Sequence, residues 1–356
     1  MTVVTLRRVQ VGLAPVVVGF VLTVVLSSPA AAHGVGGVEP RNYETTVLQV
    51  SPSLPGVELS VVDLGDRLSL ANGSGEDVVV LGYDDEPYLR VGPRGVFENR
   101  RSPAVYLNRS LVPTTRPPRI ADAAAAPEWR KVSSSTTATW HDHRAHYMGS
   151  DDPPAVRRDP SVRHVVDRWV VELRAGDRTV RASGELVYVP PSSVWPFVAV
   201  AVALALVVIL LSRTERWRAS LAVALAVMVV SDLLHVVGLW DATTASTGSK
   251  LAASAYALVG VALGVLALGW MWRKGADAAM PFVLIAAIFI FFAGGLADVA
   301  TIGHSQIPTT LAPTIARVLV CVNLGLGAGV ATGAALHLRS AARARAPSRG
   351  RVPVTS

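Results

Sequence analysis

The chain has 356 residues, of which 51% are hydrophobic and 17% charged, and it carries a net charge of +7. That balance belongs to a membrane protein and excludes a wholly soluble globular chain. Cys321 is the only cysteine, so no internal disulfide exists, and no thiolate metal site is available outside the apolar run that holds it.

Residues 1–32 read as a secretory signal. Arg7 and Arg8 form a basic start, Val9 to Leu26 an apolar stretch, and Ala30-Ala31-Ala32 the small residues a signal peptidase needs. The alternative is an uncleaved anchor helix; either way residues 33–193 are expected to be exported. Cleavage after Ala32 makes His33 the first residue, with a free α-amine beside its imidazole.

The exported segment, 33–193, alternates in the strand manner. Val57–Val61, Arg67–Leu70, Asp77–Leu81 and Tyr88–Val91 are short β-branched or apolar runs, separated by Gly65 and by Asn72-Gly73-Ser74-Gly75. Arg168–Leu173 and Thr179–Tyr188 flank the turn Ala175-Gly176-Asp177 and predict a hairpin. Regularly spaced short strands point to an all-β, immunoglobulin-like sandwich. Residues 93–165 lack this patterning and are rich in Pro, Arg, Ser and Ala. Residues 82–109 crowd Tyr83, Asp84, Asp85, Glu86, Tyr88 and Tyr106 with five arginines. They form a docking surface for a protein partner, a source of a carboxylate ligand, or an arginine–carboxylate network pinning a loop.

Beyond Pro190-Pro191 come five apolar runs, 194–212, 217–240, 251–272, 280–300 and 309–338. Each approaches or exceeds the ~20 residues needed to cross the hydrocarbon core. Arg213, Arg216 and Arg218 follow the first run, Arg273 and Lys274 the third, and five arginines the fifth, whereas loops 241–250 and 301–308 hold only Lys250. This positive-inside pattern predicts a five-helix transmembrane bundle with a cytoplasmic C-terminus and a disordered basic tail, 339–356. The net positive charge comes from that cytoplasmic face, because residues 33–193 hold 19 Lys/Arg against 21 Asp/Glu. The charge therefore points to the plasma membrane and gives no reason to expect nucleic acid.

The expected bundle carries Asp232, His235, Asp298 and Arg317, with His304 in the loop after the fourth run. Ionisable groups in hydrocarbon are costly, and they pair or line a pathway. Two readings stand: a carboxylate neutralising Arg317, or a polar pocket of His235, Asp232, Asp298 and His304 that receives a ligand from outside. Gly325, Gly329 and Gly333 form a small-residue stripe for close helix packing, in a compact bundle or a homo-oligomer.

The densest candidate site is Trp140-His141-Asp142-His143-Arg144-Ala145-His146-Tyr147-Met148. His141 and His143 would face the same side of a strand, so both imidazoles could hold one ion. His146, Met148 and His33 join only if the chain folds back. Imidazoles, an α-amine and a thioether suit copper, with zinc the alternative if the three histidines bind alone. Nucleotide-binding loops, nucleophile elbows and H-E-x-x-H are all missing, so no enzyme is expected.

A signal ending before His33, an all-β exported domain and a polytopic membrane part loosely resemble the CopC/CopD group of bacterial periplasmic copper proteins. Their Ala/Val/Arg-rich character also looks like that of actinobacterial multi-pass membrane proteins. The first resemblance implies copper binding, with His33 at the position of the CopC amino-terminal ligand. CopC-type domains carry Asp-Gly-His in the last hairpin, where this chain has Ala175-Gly176-Asp177-Arg178. Any copper site would therefore use the 141–148 stretch. The function expected is extracytoplasmic copper binding, for acquisition, sensing or homeostasis; the alternative is a metal-free envelope protein that docks a partner. Mass spectrometry of the purified protein is expected to find His33 as the first residue, and any other start removes it from the ligands.

Overall fold

The computed structural model describes residues 37–110 and 116–345. The signal segment 1–32, His33 and residues 346–356 lie outside the described residues. Contacts divide the chain into two units: Val38–Ser192 with His304–Pro308, and a helical unit from Ser193–Gly303 and Thr309 onward.

The first unit is built from ten strands in two antiparallel sheets. They are β1 (Tyr43–Ser51), β2 (Val57–Val62), β3 (Arg67–Asn72), β4 (Val78–Leu81), β5 (Pro87–Gly92), β6 (Gly95–Asn99), β7 (Trp129–Ser133), β8 (Thr137–His141), β9 (His164–Ala175) and β10 (Arg178–Tyr188). One sheet runs β1-β10-β9-β4-β5-β6-β7, the other β2-β3-β8. Two short helices, α1 (Ala104–Leu107) and α2 (Pro154–Arg158), interrupt the chain.

Alternation decides which residues turn inward. In β3, Leu68 and Leu70 are fully buried while Arg67 and Ser69 are only partly so. They join Leu59, Ala138 and Trp140 of the smaller sheet and Val80, Val91, Trp169, Val171 and Leu173 of the larger in one core. The expected β9–β10 hairpin forms, turning at Gly176 with φ +58°, a conformation glycine adopts without steric cost. The unpatterned stretch 93–165 holds three further strands. β7, Trp-Arg-Lys-Val-Ser, is the edge of the larger sheet, and its charges blunt that edge instead of alternating with apolar residues.

The second unit is helical: α3 (Trp195–Leu211), α4 (Trp217–Trp240), α5 (Thr247–Lys274), α6 (Ala276–Ile290), α7 (Ala300–Gly303) and α8 (Pro313–Arg345). Between α6 and α7 the chain forms a π-helix over Phe291–Leu296. Among the described residues, four stretches are long and apolar enough to cross a membrane: Trp217–Trp240, Thr247–Lys274, Ala276–Gly303 and Pro313–Ala344. Trp195–Leu211 is apolar but shorter. The protein is thus a two-sheet domain followed by multi-pass membrane helices.

Helix α8 runs on to Arg345, so the first part of the basic stretch expected to be disordered is helical. Alanines and arginines after Leu338 have high helix propensity and simply continue the span. The glycine stripe of α8 lies against α3 of the same chain. An added Cβ would sit 2.4 Å from the Ala201 carbonyl at Gly325, 2.8 Å from Val208 Cβ at Gly329, and 2.9 Å from Ser212 Cβ at Gly333. That face is therefore taken within the bundle and is closed to the homo-oligomer contact considered for it.

Gly329→Leu is expected to force α3 from α8 and lower the melting temperature of the detergent-purified protein, at a cost of about 1–3 kcal/mol. Gly269→Leu, where an added Cβ meets nothing within 4 Å, should leave the midpoint unchanged.

Candidate functional site

Strand β8 ends at His141, paired with Arg67 of β3. The chain then turns, closed by a 2.9 Å bond from the Ala145 amide to the Asp142 carbonyl. This turn separates His141 from His143, which strand alternation would have put on one face.

Asp142 anchors the turn. It is 1% exposed, and its carboxylate accepts the Trp140 indole N–H at 3.0 Å and both Nε and an Nη of Arg144 at 2.8 Å. The Arg144 guanidinium continues to the carbonyls of Leu81 and Gly82, both at 3.3 Å, and lies 5.0 Å over the Tyr83 ring. Burial disfavours the Arg144 charge, but the hydrogen bonds and charge of Asp142 outweigh it and raise its pKa further. Burial, reinforced by Asp142, pushes the Tyr83 phenol well above its ordinary range. Tyr83 therefore keeps its proton, donates it to Asn108, and accepts the His143 amide at 3.1 Å.

Each histidine of the stretch donates one ring N–H to a backbone carbonyl. His141 Nδ1 donates to Asp66 at 2.8 Å, His143 Nε2 to Ser110 at 3.0 Å, and His146 Nδ1 to Asp142 at 3.0 Å. This fixes three tautomers, because a carbonyl can only accept. For His141 the other nitrogen, Nε2, accepts from Arg67 Nε at 3.3 Å. Both its nitrogens are used and a guanidinium faces the lone pair, so His141 is a structural residue and leaves the expected ligand set. His143 and His146 stay together, edge to face, with ring centres 5.5 Å apart. Met148 follows on an exposed bend, 41% exposed. Among the described residues, no group of three or more His, Cys, Asp or Glu side chains is placed to hold a metal.

His146 and Tyr147 line a cavity of about 160 Å³ with Glu39, Pro40, Arg41, Tyr43 and Thr45. Tyr43 stacks on Tyr147 with ring centres 4.4 Å apart and donates to Asp152 at 2.5 Å. Sequence reasoning missed this wall, because Tyr43 and Thr45 read simply as strand residues. Glu39, Pro40 and Arg41 of its wall lie just before β1 in the chain.

The crowded segment 82–109 turns out to be tied internally. Glu86, 3% exposed, accepts from Ser102 Oγ at 2.5 Å and from the Asp84 amide at 3.0 Å, and Asn108 Oδ1 accepts a hydrogen bond from the Tyr83 hydroxyl. Its polar groups pin a loop.

In the helical unit, His235 Nε2 lies 3.2 Å from Asp298 Oδ2, near enough for an ion pair but out of line for a hydrogen bond. Asp232 is fully buried one turn from His235, with Asn323 Nδ2 3.3 Å from its Oδ1. Arg317, 5% exposed, donates from Nε to the Thr301 carbonyl at 3.3 Å. His304 belongs to the sheet unit, in a loop that pairs with β1's approach through Arg41 and Gln306 at 2.9 and 2.8 Å. The polar group in the membrane helices is thus His235, Asp232, Asp298 and Asn323, without His304.

No family model, curated protein or solved structure matches the chain.

Burial first, then the Arg67 charge, lowers the His141 pKa below its ordinary value of about 6.5. Below that ordinary value the unfolded chain binds a proton the folded one refuses, so stability present near neutrality is lost as pH falls. Denaturant unfolding is expected to show a steeper acid-side loss for the wild-type protein than for His141→Gln. Equal slopes would assign the acid sensitivity to other groups.

Proposed function

We propose that the protein is a plasma-membrane copper-binding protein. In this reading an exported immunoglobulin-like sandwich precedes five membrane-crossing helices, with α3 as the short first span and the C-terminus cytoplasmic. Among the charges that support this orientation, Arg213, Arg216 and Arg218 lie between α3 and α4, and Arg273 and Lys274 close α5.

The observation that carries the reading is the His143–His146 pair. Each imidazole donates one N–H to a carbonyl, which fixes the orientation of the ring, as at metal sites. Two such rings 5.5 Å apart supply half of a site. His33 supplies the rest in this reading, through its α-amine and imidazole. It precedes Glu39 in the cavity wall by six residues, a span of at most about 20 Å. Met148, two residues beyond His146, adds a soft donor that favours Cu(I) over zinc. The chain's own groups would hold the ion and exchange it at the outer surface, in acquisition, sensing or homeostasis. Copper, when bound, would supply affinity for nitrogen and sulfur donors. The alternative, a metal-free protein that docks a partner through residues 82–109, finds Glu86, Ser102, Tyr83 and Asn108 of that segment already bonded within it.

The test is calorimetric titration of the full-length protein in detergent with Cu(I) and Cu(II). Micromolar or tighter binding is expected, lost in His143→Ala/His146→Ala, weakened at least tenfold in His33→Ala, and kept in His141→Gln. Equal loss on changing His141, or no binding beyond that of the double variant, would overturn the reading.

A further inference from the structure

A second site, independent of the copper reading, lies within the membrane helices. Asp232 of α4 and Asn323 of α8 are both fully buried. Asn323 Nδ2 is shared between Asp232 Oδ1 at 3.3 Å and the Gly294 carbonyl at 3.0 Å. Two oxygen atoms remain, Asp232 Oδ2 and Asn323 Oδ1, and both are buried without a hydrogen-bond partner. A lone buried acceptor is costly and a buried charge far more so, and two together signal a missing positive group.

Among the described residues, none supplies that group. The titratable residues acting on Asp232 are His235 and Asp298, and these two face each other at 3.2 Å. Even a charged His235 leaves two carboxylates against one imidazolium.

Backbone geometry is shaped around the same point. Helix α6 widens into the π-turn Phe291–Leu296, with the Ala297 amide bonded five residues back to the Phe292 carbonyl at 2.9 Å. Such widened turns recur at functional sites, and broken membrane helices offer carbonyls to small cations. Glycines let the backbone come close: an added Cβ at Gly294 would lie 1.9 Å from Asp232 Oδ1, and one at Gly260 3.5 Å from Oδ2.

We propose that Asp232, Asn323 and the Gly294 carbonyl form an intramembrane site for a small monovalent cation, sodium. All the donors are oxygens, which suits a hard ion. One local carboxylate matches a single charge and is too little for a calcium or magnesium cage. Bound sodium would lock α4, α6 and α8 together at their shared polar point, so occupancy would be felt as bundle stability.

The experiment is thermal unfolding of the full-length protein in detergent, at fixed pH, in sodium chloride against choline chloride of equal ionic strength. Sodium is expected to raise the midpoint by several degrees, saturably. The response should vanish in Asp232→Asn and Asn323→Ala and persist in Asp298→Asn. Identical midpoints in the two salts, or a sodium response that survives Asp232→Asn, would overturn the site. A midpoint that follows pH but not sodium would also overturn it, because the missing charge would then be a proton on Asp232. Should Asp232→Asn fail to fold, binding of radiolabelled sodium to the wild-type protein decides: saturable binding displaced by excess unlabelled sodium and not by choline supports the site, and its absence ends the proposal.

Discussion

The buried Asp142–Arg144 pair is the constraint on which the sheet domain's candidate site depends. Asp142 belongs to the turn that leaves β8, in the three-stranded sheet, and Arg144 ends on the carbonyls of Leu81 and Gly82, at β4 in the seven-stranded sheet. One bidentate contact thus ties the two sheets at one end of the core. Removing one partner of such a pair costs about 3–5 kcal/mol, because the survivor is left charged and desolvated. Lysine could not replace Arg144, since only a planar fork reaches both carboxylate oxygens and both carbonyls. The same pair fixes the turn, and the turn fixes where His143 and His146 point. Local density of histidine in the sequence therefore reflects two roles, with Asp142, Arg144 and His141 building the frame, His146 lining the cavity, and His143 packed edge to face against His146.

Strands were legible where one face of a sheet is wet and the other dry. β2, β3, β9 and β10 fall within a few residues of the runs that alternation marks, because Leu68, Leu70, Val171 and Leu173 point to one core. The rule failed between residues 93 and 165 for a physical reason. β7 is an edge strand and β8 lies at the edge of a three-stranded sheet, so neither needs a full apolar face. The period-two argument for His141 and His143 failed because it assumed the strand continued. It stops at His141, where Trp140 has already filled the core and Asp142 caps the indole. Nothing in the spacing announces that stop.

The membrane unit divides in the same way. Hydropathy marks the helices, and cost alone singles out Asp232, His235, Asp298 and Arg317. Which of them meet depends on helix rotation, which composition does not carry. Asp298 meets His235, while Asp232 takes an uncharged partner, Asn323, four helices further along the chain on α8. That pairing relies on a π-turn and on Gly294, where an added Cβ would run into the Asp232 carboxylate. The glycines of α8 do serve ordinary packing, bringing α3 within van der Waals reach of its backbone.

Two anchored imidazoles have consequences for any ion they hold. A structural site closes on itself, with every ligand carried by rigid elements. Here only His143 and His146 are held in that way, one ring N–H each on a carbonyl. On the copper reading, the further donors come from the chain start and from exposed Met148, so coordination is completed from outside the frame. Each added ligand can leave without unfolding the sheets, and the two fixed rings keep the ion's place meanwhile. Such a site loses an ion stepwise, ligand by ligand, which suits handing copper on and suits long storage poorly.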